Sequence, residues 1–205
     1  MRGVLPSLVG LLFILLAGPA MAAMVGDASV PFRAERTVTV DGRSYTGPLF
    51  HTPGHERNEQ SLLGMREVFL LDTAAARGEL VVPALQTYVA FPFPPMLAAL
   101  GAPDLLRRPL GAEEIAGIRT EKYRIDEMAA DGSRARGALW LSRDGILMKL
   151  AVGITRPHGG RPIEIGMVLS QVERGPQDPA LFRLPSGYTQ LPAEALGPLL
   201  GTRRN

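Results

Sequence analysis

Cysteine is absent from the 205 residues, tryptophan occurs once and histidine three times. Without thiols there is no disulfide and no thiolate nucleophile or metal ligand, so the core alone must hold the fold. A lipid-modified lipoprotein, which needs a cysteine directly after its leader, is excluded. Basic and acidic residues nearly balance, 22 against 20, and no basic run is longer than a pair. A nucleic-acid partner is not expected, because phosphate binding needs a clustered positive face. Long apolar runs are missing too: Leu8–Ala17, "LVGLLFILLA", falls short of the ~20 residues of a membrane span.

That short run has another meaning. Arg2 supplies a positive start, Gly18 and Pro19 end the apolar stretch, and Ala20-Met21-Ala22 fits the small-residue cleavage pattern. Residues 1–22 read as a secretory signal peptide cut after Ala22 or Ala23. The remainder, 23–205, reads as one exported, periplasmic domain without a stable transmembrane anchor. An apolar fraction of 46% with 20% charge suits a chain able to bury a core.

Short alternating runs divided by turn residues dominate this remainder. Asp41-Gly42, Asp131-Gly132 and Asp144-Gly145 are hairpin signals, since both central residues of a type I′ turn take positive φ. His158-Gly159-Gly160 makes a looser connection. The expected strands are 32–40, 43–52, 56–63, 66–72, 79–82, 87–91, 119–127, 134–142, 146–155 and 163–174. Met148, Leu150, Val152 and Ile154 share one face of their strand, and Ile163, Ile165, Met167 and Leu169 repeat the pattern. One-sided burial belongs to an antiparallel sheet, and a row of about ten strands must curl or close. Pro92–Gly111 interrupts the series. It opens with prolines and aromatics, gives a short helix from Pro95 to Leu100 ended by Gly101, then a turn over 104–107. A second short helix is expected over 193–200.

"HTPGHE", residues 51–56, is the one stretch that suggests a metal. Its first five residues resemble a zinc-binding loop of the metallo-β-lactamase superfamily. That superfamily also carries H-x-H-x-D-H, which is absent here, and only His158 remains as a further histidine. Pro53-Gly54 instead suits the centre of a type II turn, with both histidines exposed at the rim. No G-x-S-x-G elbow or phosphate loop occurs. Glu56, Glu59 and Glu67 read as a solvated face beside Arg57 and Arg66, and Glu113-Glu114 likewise. No enzyme, metal or cofactor is therefore expected.

The segment "IAGIRTEKYRIDEMAADGSRARGALWLSRDGILMKL", residues 115–150, carries a G-x-x-T-x-K-Y strand, a hairpin, "LWLS" and Asp-Gly before an apolar strand. With the ending "DPALFRLPSGY", 178–188, it resembles the LolA/LolB-like superfamily, whose members include lipoprotein carriers and lipid-binding relatives. The resemblance implies a mainly β fold with short helices, a strongly curved antiparallel sheet forming an unclosed barrel under a helical lid. It also implies a concave apolar cavity for an acyl chain, lipid or lipoprotein, with an envelope sensor or scaffold binding a protein partner as the alternative. Phe69, Leu71, Tyr88, Phe91, Phe93, Met96, Leu97, Trp140 and Met148 are the expected lining and lid. The carriers hold the lid with a strand arginine, for which Arg36, Arg57 and Arg66 are candidates.

Overall fold

The computed structural model describes residues 28–62, 64–102 and 105–193. The leader with its cleavage point lies outside the described residues, as does all but the first residue of the C-terminal helix expected over 193–200.

Among the described residues, twelve strands form one sheet. They are β1 (Phe32–Val40), β2 (Arg43–Thr52), β3 (His55–Leu62), β4 (Met65–Asp72), β5 (Arg77–Val82), β6 (Thr87–Pro92), β7 (Arg108–Ile115), β8 (Ile118–Met128), β9 (Arg134–Ser142), β10 (Leu147–Thr155), β11 (Ile163–Arg174) and β12 (Thr189–Gln190). One helix, α1 (Pro95–Gly101), stands between β6 and β7. The spatial order is β12-β6-β5-β4-β3-β2-β1-β11-β10-β9-β8-β7. Consecutive strands pair antiparallel from β1 to β6 and from β7 to β11, β1 also pairs antiparallel with β11, and β12 adds to β6 in parallel. β7 and β12 are the two ends, so the barrel is unclosed.

The position of α1 requires the sheet to curl. The helix follows β6 after two residues, yet it packs against β8. These strands are nine places apart in the sheet order, roughly 43 Å on a flat sheet at about 4.8 Å per strand. The stretch Pro92–Gly101 reaches at most about 25 Å as linker and helix. Two glycines serve tight places in the curl. A Cβ on Gly137 would stand 2.0 Å from the Ala151 carbonyl oxygen, and one on Gly47 would stand 2.2 Å from that of Glu59. No other residue lets a neighbouring backbone come so near. Register irregularities at Arg33/Glu35, Leu147/Lys149 and Pro109/Gly111 add local bends.

Of the expected strand limits, those of β1, β2, β9 and β11 coincide with the structure and the others move by one or two residues. Two expectations need correction. Of the three Asp-Gly pairs, Asp41-Gly42 alone, with φ of 46° and 83°, has the paired positive φ of a type I′ turn. At Asp131-Gly132 and Asp144-Gly145 the glycine alone is positive. There the aspartate side chain organises the loop, with Asp131 accepting from the Ser133 amide at 3.0 Å and Asp144 from the Ser142 hydroxyl at 2.5 Å. The second correction is β7, which occupies sequence expected to be interruption and solvated carboxylates. Proline, glycine and two glutamates weaken its strand signal, and it survives as an edge, paired only with β8 and exposed along nearly its whole length.

Candidate ligand-binding face

The inner face of the sheet is built from alternate residues of almost every strand. Met148, Leu150, Val152 and Ile154 of β10 turn inward, and so do Ile163, Ile165, Met167 and Leu169 of β11. Leu139 and Leu141 of β9 and Ile125 of β8 extend this wall, and Val38 of β1 continues it. Each fully buried side chain of this kind contributes about 1.5–3 kcal/mol.

α1 roofs the wall. Pro95 opens the helix, where its missing N–H costs nothing, and the Ala98 amide bonds the Pro94 carbonyl at 3.0 Å. Met96, Leu97 and Leu100 lie on one helical face and are buried in the inner core. The linker is anchored as well: the Phe93 amide donates to the Ala76 carbonyl at 2.9 Å, and the Phe93 ring joins the same core. Gly78 makes room for Phe91, whose ring comes within 2.6 Å of where a Cβ would be.

Of the nine residues expected to line or cover the cavity, Phe69, Leu71, Phe91, Phe93, Met96, Leu97 and Met148 meet in this one cluster. Tyr88 and Trp140 do not, and their placement is corrected here. Tyr88 packs outside with Val68, Leu70 and Val81, under Leu184 and Tyr188 of the returning C-terminal segment. Trp140 alternates with the inward Leu139 and Leu141, so it points out. Its indole N–H donates to Glu113 at 2.7 Å, and the ammonium groups of Lys122 and Lys149 stand 4.8 and 4.4 Å from its ring. These contacts pull the Glu113 carboxyl below its ordinary value, chiefly through the bonds from Lys122 and Trp140. Aromaticity alone suggested an inner residue, whereas strand parity with Leu139 and Leu141 would have placed Trp140 outside.

The other half of the inner face is polar, which sequence reasoning missed. Glu56, Asn58 and Gln60 alternate along β3 and are buried. Register fixes their side: Asn58 stands between Leu49 of β2 and Phe69 of β4, both core residues, and Glu56 opposes Leu71. Gln60 opposes Glu67, and its amide nitrogen donates to that carboxylate at 2.8 Å. Asn58 likewise donates to Glu56. Burial pushes the Glu67 carboxyl up. Arg36 lies inward on β1 with Phe32, Ala34 and Val38. Burial lowers its guanidinium to about 10, opposed by the charge of Glu56. The carboxylates expected to form a solvated face thus divide, with Glu56 and Glu67 inside. Only Glu59 keeps its expected partners, Arg57 and Arg66, each at 2.8 Å. Arg57 also donates to the Leu181 carbonyl at 2.9 Å, so these two arginines serve the outer side and Arg36 alone of the three candidates faces inward.

HTPGHE is a turn, as its Pro-Gly pair suggested, with Gly54 at φ 86° between β2 and β3. The expected exposure of both histidines is half right. His55 is exposed and tilts against Phe182, beside a recess of about 250 Å³ on the outer side. His51 is buried instead: its Nε2 bonds the Ala28 carbonyl at 3.0 Å and its ring stacks on Phe32. Alternation with the inward Leu49 carries it inside.

No family profile matches the chain, and no curated protein matches it either. Solved structures do. An uncharacterised conserved protein from Thermus thermophilus superposes with a TM-score of 0.52 at 12% identity, over 81% of this chain and 92% of that one. The complex of Pseudomonas aeruginosa MucA and MucB gives 0.47 at 19% identity, over 83% of this chain but 60% of the other. A putative outer membrane lipoprotein-sorting protein domain from Vibrio parahaemolyticus gives 0.34 at 12%, over 84% and 98%. The likeness to the Thermus thermophilus protein shows a shared fold. Architecture is what such distant likeness shares.

Proposed function

We propose that this chain is an exported binding protein that holds an acyl chain against its inner wall beneath α1. One observation carries the reading: a continuous apolar wall is covered by a seven-residue helix tethered through Phe93 and Pro94. So short a helix is marginal by itself, and its place depends on three buried side chains. Lifting them from the wall costs about 4–9 kcal/mol, and a twelve-carbon tail at about 0.8 kcal/mol per methylene offsets that cost. The balance is close enough for the helix to yield to a ligand and return. Arg36, the inward arginine, is the candidate for securing the closed lid.

Residues 1–22 act as the export signal in this reading, 23–205 as one binding domain, and the periplasm as its address. It binds rather than catalyses. Organic extraction of the purified full chain, followed by mass spectrometry, tests the reading. A stoichiometric acyl-bearing molecule is expected. Protein that is empty and takes up no added lipid overturns the proposal.

A second reading, an envelope sensor or scaffold, has its own support in β7. That edge strand is exposed, and Leu106 (80% exposed), Leu110 (48%) and Met128 (67%) lie at it or on its neighbour β8. A partner strand could add there. Crosslinking in the envelope separates the readings, since a stoichiometric protein partner without lipid favours this one.

A further inference from the structure

The polar half of the inner face has unused capacity of one kind. Asn58 and Gln60 are 0% and 8% exposed, and each gives its amide nitrogen to a carboxylate. That orientation turns both carbonyl oxygens away, and neither Asn58 Oδ1 nor Gln60 Oε1 has a donor. A buried acceptor without a donor loses its hydration for nothing, a penalty of about 1–3 kcal/mol for each. Flipping either amide would oppose its oxygen to a carboxylate oxygen, so the present orientation is the better one. Two buried carboxylates, Glu56 and Glu67, lie beside these amides, and the buried guanidinium of Arg36 feels the charge of Glu56.

Such a lining asks for hydrogen-bond donors, with a positive charge preferred. It adjoins the apolar half directly, because Asn58 stands beside Leu49 and Phe69 of the inner core. We infer that β3 with Glu67 forms a headgroup subsite, taking the ammonium or other N–H- or O–H-bearing end of an amphiphile whose tail lies on the apolar wall. This rests on the acyl-binding reading and adds the class of ligand. The ammonium places its protons on the Asn58 and Gln60 oxygens and its charge beside the two carboxylates. A carboxylate-headed ligand would bring acceptors to acceptors.

Three twelve-carbon amphiphiles of equal tail test the subsite. The full-length mature protein is loaded with N-phenyl-1-naphthylamine, which fluoresces in apolar surroundings, and the probe is displaced by dodecylammonium, dodecanol or dodecanoate. Dodecylammonium is expected to bind at least about ten-fold more tightly than dodecanoate, with dodecanol between them, as one or two charge-assisted hydrogen bonds require. In the double variant Asn58→Leu, Gln60→Met, checked for folding by circular dichroism, the three affinities should converge while tail binding persists. Equal affinities in the native protein, or a preference for dodecanoate, overturn the subsite and leave the acyl-binding reading standing. A native order that survives in the folded double variant also overturns it. If none of the three displaces the probe, the acyl-binding reading falls and the subsite with it.

Discussion

On β10 the inward side chains are Met148, Leu150, Val152 and Ile154, whereas on β3 they are Glu56, Asn58 and Gln60. Both sets are buried, on the same face of one sheet. The apolar set gains free energy by leaving water, and the polar set tolerates burial only through its mutual hydrogen bonds. Burial therefore has two different meanings in this molecule. Around β10 it makes the wall stable, and around β3 it keeps polar groups dry at a cost that a stable core alone does not need.

Both halves depend on a glycine at a tight contact, and the largest expected effects lie there. Gly137→Ala puts a methyl group 2.0 Å from the Ala151 carbonyl oxygen, and Gly47→Ala puts one 2.2 Å from that of Glu59. Each should cost about 4 kcal/mol or more, at the far end of single substitutions, read as a fall in the urea midpoint. An unchanged midpoint for either would mean that its half of the sheet opens at that point.

The halves should then part company. Leu150→Ala, in the apolar wall, is expected to cost about 3 kcal/mol through transfer and cavity terms. Trp140→Phe should cost about 1 kcal/mol, from the lost Glu113 bond and weaker cation contacts. Being outside, Trp140 should also leave tail binding unchanged, as probe displacement can measure. Altered binding in that variant would contradict its assignment to the outer face.

The smallest effect concerns the polar half and depends on pH. Burial raises the Glu67 carboxyl in the folded state, so folding favours its protonated form. Its ionisation therefore weakens the fold as pH rises from the ordinary carboxylate value through the raised one. Glu67→Gln should gain a few degrees of thermal stability over native protein at pH 8 and little at pH 4. Asp144 has the opposite sign. The Arg174 bond at 2.5 Å holds it down to about 2, so its contribution is present above about pH 4 and fades as pH falls toward 2. Asp144→Asn should accordingly destabilise at neutral pH and much less at pH 2. Melting curves at these pH values check both signs.

The same contrast explains what the sequence revealed. β10 and β11 alternate apolar with small or polar residues, so their inner faces were legible, as was the short helix bounded by Pro95 and Gly101. β3 is polar in both parities, since His55, Arg57, Glu59 and Ser61 alternate with Glu56, Asn58 and Gln60. Periodicity in such a strand names two faces without saying which is inside. That choice is made by Leu49 and Phe69 on the flanking strands, through a register the linear sequence does not display. His51 was misplaced for the same reason. β7 was hidden by its proline and glutamates, which suit an edge better than an interior strand.

The wall beneath α1 can be probed most directly by titrating delipidated protein with N-phenyl-1-naphthylamine. The expected result is saturable fluorescence at one probe per chain, fully displaced by dodecanol. Fluorescence that never saturates, or that dodecanol fails to displace, would show that the apolar wall is core alone and contradict the proposed function.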